Sequence, residues 1–244
     1  MAKPKTAVIT CLVLEDEIEH FAQDCPHIVR IVKLPQGLHN EPDRLRKELQ
    51  NAIDEVEKAV CPEAIVIGYG LCSRGTEGVR TRMAKLVVAR AHDCITLLLG
   101  SKERYADYVR QAPGTYWYSP GWNRHHLPPG EERYRVLKEE YVAKYGEDNA
   151  EFLMETEQHW FTSYDRATYV DMGPGATEQD IEFTRGCARW LGWAFDHQKG
   201  DPELLKALLE CEWDEERFLI LEPGQTLRLT ADDRVLEAAP ADAH

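Results

Sequence analysis

The chain has 244 residues, with 29 Lys plus Arg against 43 Asp plus Glu and a net charge of −14, a field that repels phosphate backbones and anionic membrane surfaces and excludes a general nucleic-acid or lipid binder. That length buries a substantial core, as one large domain or two small α/β lobes. Seven cysteines, at 11, 25, 61, 72, 94, 187 and 211, form an odd set that argues against a disulfide framework and leaves core fillers, metal ligands or nucleophiles.

Lys3 and Lys5 precede an apolar run, Ala7 to Leu14, that faintly resembles a secretory leader. Glu15, Asp16 and Glu17 end it early and no small-residue cleavage site follows, so it reads as a first strand and the chain as cytoplasmic. Leu86 to Leu99 is broken by Arg90, His92 and Asp93, so no membrane span is expected there. Short β-branched runs predict strands at Thr6 to Thr10, His27 to Val32, Ala64 to Ile67 and Leu86 to Ala89. Between them, Leu45, Leu49, Ile53, Val56 and Val60 recur at helical spacing over Asn40 to Val60, with Asn40 as N-cap and Pro42 in the first turn.

From Ser101 the pattern changes to a charged helix and an aromatic loop, Tyr116 to Trp122, then one or two charged surface helices between Pro128 and His159. A second α/β alternation follows. Ala167 to Asp171 reads as a strand, Thr177 opens a helix with a capping-box-like pattern that Gly192 ends, Asp201-Pro202 caps a Leu-rich helix, and Arg217 to Leu221 is a further strand. Nearly continuous apolar strands separated by helices imply an α/β fold. The expectation is two Rossmann-like lobes with mostly parallel sheets facing a central cleft: an N-terminal lobe at 1–112, a C-terminal lobe with bridging helices at 113–232, and a disordered tail at 233–244.

Cys11, Cys72 and Cys94 each fall just after a predicted core strand. The carboxyl ends of parallel strands share one sheet edge, where ligands bind, so three thiols distant in sequence would converge there. Helices expected to start near Leu14, Ser73 and Asp93 would point their amides at the same edge and lower the thiolate pKa values. A single cysteine in such a place is most often a small core hydrophobe; the coincidence of three favours a site. Cys25, Cys61, Cys187 and Cys211 lack this placement and read as fillers.

No C-x-x-C pair is present, which excludes a closed zinc knuckle. Three widely spaced thiolates suit a [4Fe–4S] cluster with one iron free of protein cysteine, or a three-cysteine zinc with an open position; the cluster is favoured because ligands from separate strands enclose a large object more readily than one small ion. His92 and Asp93 are the proton-transfer candidates, Arg90 and Arg74 an anion clamp, Gln36 and His39 further substrate contacts, and Gly70 lets backbone approach the cofactor. The Gly-rich run from Gly68 to Gly78 fails the dinucleotide fingerprint, because Ser73 stands where its third glycine belongs.

Leu34-Pro35-Gln36-Gly37-Leu38-His39, Gly68-Tyr69-Gly70-Leu71-Cys72, the stretch Arg90 to Ser101, Pro113-Gly114-Thr115-Tyr116, Ser119-Pro120-Gly121-Trp122 and Trp213 to Leu219 together resemble the DUF1638 family of uncharacterised proteins, from about Ala7 to Leu227. Members of that family are found largely in anaerobes and archaea, often beside corrinoid-dependent methyltransferase genes. The resemblance implies a role near methyl-group or low-potential chemistry. The expected function is an iron–sulfur lyase, transferase or reductase acting on a small polar substrate; the alternatives are a three-cysteine zinc protein or an accessory protein for a corrinoid, a corrinoid protein or its methyltransferase.

Overall fold

The buried β-branched runs set the frame of the computed structural model, which describes residues 2–240. Strand β1 (Thr6–Cys11) is buried at every position and leads through a 3-10 turn, Leu12–Leu14, into α1 (Glu15–Ala22). Strand β2 (Ile28–Leu34) begins and ends later than its sequence pattern suggested and is only half-buried, as an edge strand should be. Helix α2 (Pro42–Val60) buries Leu45, Leu49, Ile53 and Val56 on one face. Its N-cap is Glu41 rather than Asn40, because Leu38–Asn40 closes a separate 3-10 turn and Pro42 then sets the first helical position. The buried strands β3 (Ala64–Gly68) and β4 (Lys85–Ala89) follow, then α3 (Cys94–Leu99) and α4 (Lys102–Gln111).

Where the sequence suggested an aromatic loop, Thr115 to Tyr118 is strand β5 (Thr115–Tyr118), and Ser119 caps α5 (Pro120–His125) by accepting the Trp122 N–H. Alternating aromatic side chains suit a pleated strand. Two charged helices, α6 (Glu131–Tyr145) and α7 (Glu147–His159), precede β6 (Arg166–Asp171). Helix α8 (Glu178–Leu191) has the expected Thr177 cap and ends on Gly192 at a left-handed φ of 72°, before β7 (Ala194–Lys199). Then come α9 (Glu203–Leu209), β8 (Phe218–Leu221), β9 (Gln225–Leu229) and β10 (Leu236–Pro240).

The fold is mixed α/β with mostly parallel sheets. A five-stranded sheet runs β2-β1-β3-β4-β8, parallel except for β8, which pairs antiparallel with β4 through Leu86↔Leu221 to Ala89↔Phe218. A three-stranded sheet, β5-β6-β7, is wholly parallel, and β9 and β10 form an antiparallel pair. The chain divides into two compact units, Met1–Tyr105 with Gly200–His244, and Ala106–Lys199. The segment carrying α9 and β8, grouped with the second lobe on sequence, therefore completes the first unit's sheet. Of the expected disordered tail, Leu236–Pro240 is a strand; residues 241–244 lie outside the described residues. Among the described residues no helix is long and apolar enough to cross a membrane.

Candidate functional site

At the carboxyl edge of the five-stranded sheet, β1 lies between β2 and β3, and the chain crosses from one side of β1 to the other between them. Such a reversal opens a crevice between the loops that leave the two strands in opposite directions. Cys11 is the last residue of β1, in register with Leu34 of β2. Tyr69 to Cys72 leave β3, and Cys94 opens α3 just after β4.

Two loops are laced together to hold Cys72 and Cys94. The Leu71 N–H donates to Ala91 O at 2.8 Å and the Cys72 N–H to His92 O at 3.0 Å. Gly70 permits this contact, since a Cβ there would lie 2.6 Å from the Asp93 nitrogen. The chain then turns through three consecutive left-handed residues, Cys72, Ser73 and Arg74, with φ of 45°, 56° and 68°. Each costs about 1–2 kcal/mol for a residue with a side chain. The turn is held by Gly75 N–H to Cys72 O at 2.9 Å and by Arg46 Nη2 to Arg74 O at 3.3 Å. No helix begins at Ser73, so no helix dipole acts on Cys72 from there.

The three sulfurs are close enough that charge on one disfavours charge on the next: Cys11 acts on Cys72, and both act on Cys94. Burial pushes all three thiols up from their ordinary value, against the sequence expectation of lowered pKa values, because desolvation outweighs the nearby backbone donors. Among the described residues no group of three or more His, Cys, Asp or Glu side chains is arranged to hold a metal ion.

Tyr69 is the residue that sequence reasoning passed over. It is 2% exposed, its hydroxyl is beside Cys11 without a hydrogen-bond partner of ordinary geometry among the described residues, and burial followed by the neighbouring thiol charges drives its pKa far up. The available signal was an aromatic residue between two glycines directly after a buried strand. Gln36, two residues past the end of β2, is also buried, and its side-chain nitrogen has no partner among the described residues. An unpaired buried donor costs about 1–3 kcal/mol, and such a group is met by ordered water or by a bound molecule.

The other expected site residues have definite places. Asp93 caps α3, its Oδ1 accepting the Ile95 and Thr96 N–H groups at 3.0 and 3.1 Å and its Oδ2 the Tyr105 hydroxyl at 3.1 Å. Burial raises its pKa despite these bonds. His92 is exposed, with its ring 6.3 Å from that of Tyr105. Arg90 donates Nε to Glu215 O at 2.9 Å and Nη1 to the carbonyls of Arg234 and Leu236, tying the β9–β10 segment to the end of β4. Arg74 pairs with Glu77 at 2.7 Å. His39 is half-buried in the turn after β2, and burial lowers its pKa.

A sequence model of one family, described as "Protein of unknown function (DUF1638)", matches residues 33–209, well over half of the chain. Cys72 and Cys94 fall inside the matched stretch and Cys11 precedes it. No curated protein and no solved structure matches the chain.

Proposed function

The chain belongs to the DUF1638 family, and on that footing we propose that its first unit carries a three-cysteine [4Fe–4S] centre, ligated by Cys11, Cys72 and Cys94, with one iron open to a small polar substrate. The observation that supports the reading is the convergence of three thiols from the ends of three adjacent parallel strands at the point where the strand order reverses. That order, β2-β1-β3-β4, also supports a Rossmann-like reading of the unit. All seven cysteines are unpaired, which fits a reducing compartment and a cytoplasmic protein.

The residues suit a cluster for chemical reasons. Neutral thiols at this edge would release their protons to solvent as a metal binds, and the cation would then offset the thiolate charge that burial alone disfavours. The Tyr69 hydroxyl, held protonated beside Cys11, is a donor ready for a sulfide or for an oxygen of a molecule bound at the open iron. The bound cluster would supply Lewis acidity or electrons; Gln36 would donate a hydrogen bond to the substrate.

The test is anaerobic purification followed by reconstitution with ferrous iron and sulfide. The reading expects brown protein with broad absorption near about 400 nm and about four iron and four sulfide per chain. Colourless protein holding one zinc would move the reading to the three-cysteine zinc alternative, and protein retaining neither metal would end it.

A further inference from the structure

Away from the thiol edge, a cavity of about 580 Å³ lies between α2, the 77–82 loop and β9, a size that suits a small molecule. Its walls carry charge of both signs, but the two signs are not equally available. The acids are engaged within the protein: Asp43 accepts from Arg46 Nη1 at 2.7 Å, Asp54 from Gln50 Nε2 at 2.9 Å, and Glu77 from Arg74 Nε at 2.9 Å and the Leu229 N–H at 3.2 Å. Lys47 and Arg80, by contrast, make no side-chain hydrogen bond or ion pair among the described residues, and Arg82 reaches Asp54 only at 3.8 Å. With 43 acidic residues against 29 Lys plus Arg in the chain, this is not a shortage of partners.

The backbone that presents these cations is fixed. Gln50 brackets Arg80, donating Nε2 to its carbonyl and accepting its N–H on Oε1, both at 3.0 Å. Arg80 also bridges Thr226 of β9. Two residues on, buried Glu57 accepts the N–H groups of Arg82, Met83 and Ala84. Clamped main chain beneath an unspent guanidinium leaves only the side chain itself to be ordered on binding a group outside the chain.

We propose that this groove binds a small, multiply charged phosphate or diphosphate anion. Lys47 and Arg80 would take its oxygens, and Arg82 would leave its long contact with Asp54 to join them. A tetrahedral anion can accept from three cations at once, whereas a carboxylate is satisfied by a single guanidinium fork.

The experiment is calorimetric titration of the full chain with pyrophosphate at low ionic strength, with acetate as the carboxylate comparator. Saturable one-to-one binding of pyrophosphate is expected, weakened roughly tenfold by Arg80→Ala and by Lys47→Ala. Neither side chain has a partner among the described residues, so an unchanged melting temperature should accompany the loss of affinity. Absence of saturable binding, undiminished affinity in either variant, or acetate binding as tight as pyrophosphate would each overturn the proposal.

Discussion

The Cα of Gly70 faces the backbone of Asp93 so closely that a Cβ built on it would lie 2.6 Å from the Asp93 nitrogen, 2.8 Å from its Cα and 2.9 Å from Ala91 O. Backbone atoms cannot swing aside as a flexible side chain can. Gly70→Ala should therefore push apart the two loops that carry Cys72 and Cys94, at a cost of about 1–3 kcal/mol. Denaturant unfolding would measure the cost. Metal uptake in the same variant should fall, since both loops proposed to supply ligands shift.

The left-handed turn at Cys72, Ser73 and Arg74 yields a prediction of opposite sign. A glycine in a helix costs about 1 kcal/mol relative to alanine, but a glycine at the positive φ of Ser73 relieves strain. Ser73→Gly should leave stability unchanged or raise it by up to about 1 kcal/mol. A clear loss in thermal or denaturant unfolding would contradict a left-handed Ser73.

Glu57 is 2% exposed, and its Oε1 accepts the Met83 and Ala84 N–H groups at 2.8 and 2.9 Å while both oxygens share the Arg82 N–H at 3.1 Å. Glu57→Ala strands three main-chain donors, and a loss of about 3 kcal/mol is expected. Glu57→Gln retains one carbonyl acceptor and should cost less. The same loop presents Arg80, so pyrophosphate affinity should drop in the alanine variant even under conditions where it remains folded.

Much of this arrangement could be read locally. Buried strands β1 and β3 announce themselves as unbroken apolar runs, α2 by its repeat of Leu45, Leu49 and Ile53, and α8 by Thr177 and Gly192, because those signals depend on neighbours in sequence. That Cys11, Cys72 and Cys94 each follow a strand at the same sheet edge was legible from parallel strand order. What sequence could not supply was long-range choice. Phe218 to Leu221 looks like a strand anywhere, and only packing decides that it pairs antiparallel with β4. Ser73 and Arg74 carry no mark of positive φ; the lacing of Leu71 and Cys72 to Ala91 and His92 imposes it. Arg90 read as an anion clamp because Arg at a strand end suits one, whereas its hydrogen bonds go to Glu215, Arg234 and Leu236 carbonyls that no local pattern placed there.

In the second unit, Tyr108 donates its hydroxyl to Asp196 Oδ2 at 2.6 Å, and Gln198 Nε2 and the His197 N–H add bonds of 2.9 and 2.8 Å. Burial opposes ionisation of Asp196, but these donors outweigh it and hold the carboxyl below its ordinary value of 3.8. An acid depressed on folding contributes stability above its unfolded pKa and loses it as pH falls through the folded one. Tyr108→Phe keeps the ring against Trp117, whose centroid is 4.7 Å away, and removes only the donor. It should cost about 1 kcal/mol at neutral pH, and the gap from the parent should narrow as pH falls below 3.8. A gap that stays constant in acid would show that the hydroxyl acts through Thr168, its other partner at 2.7 Å, instead.

Ligand and filler cysteines differ in how they respond when sulfur is replaced at nearly constant volume. Serine is a hard, weakly acidic donor where a soft thiolate is needed, so Cys→Ser at 11, 72 or 94 should each abolish most metal uptake on anaerobic reconstitution. Cys25 and Cys187 are buried, one just before β2 and the other in α8, and the same change there should leave metal content intact while costing about 1–3 kcal/mol from burying a hydroxyl. The controls matter because they undergo equal chemical change and similar destabilisation, so lost metal cannot be blamed on a weakened fold. His92→Ala then separates two roles for the exposed ring beside Tyr105: cluster retained with a changed response to added substrate marks a proton donor, and cluster lost marks a fourth ligand. Full metal occupancy after Cys→Ser at any one of the three positions would break the three-thiolate centre. That outcome would return the protein to the class of α/β binding proteins of unknown ligand.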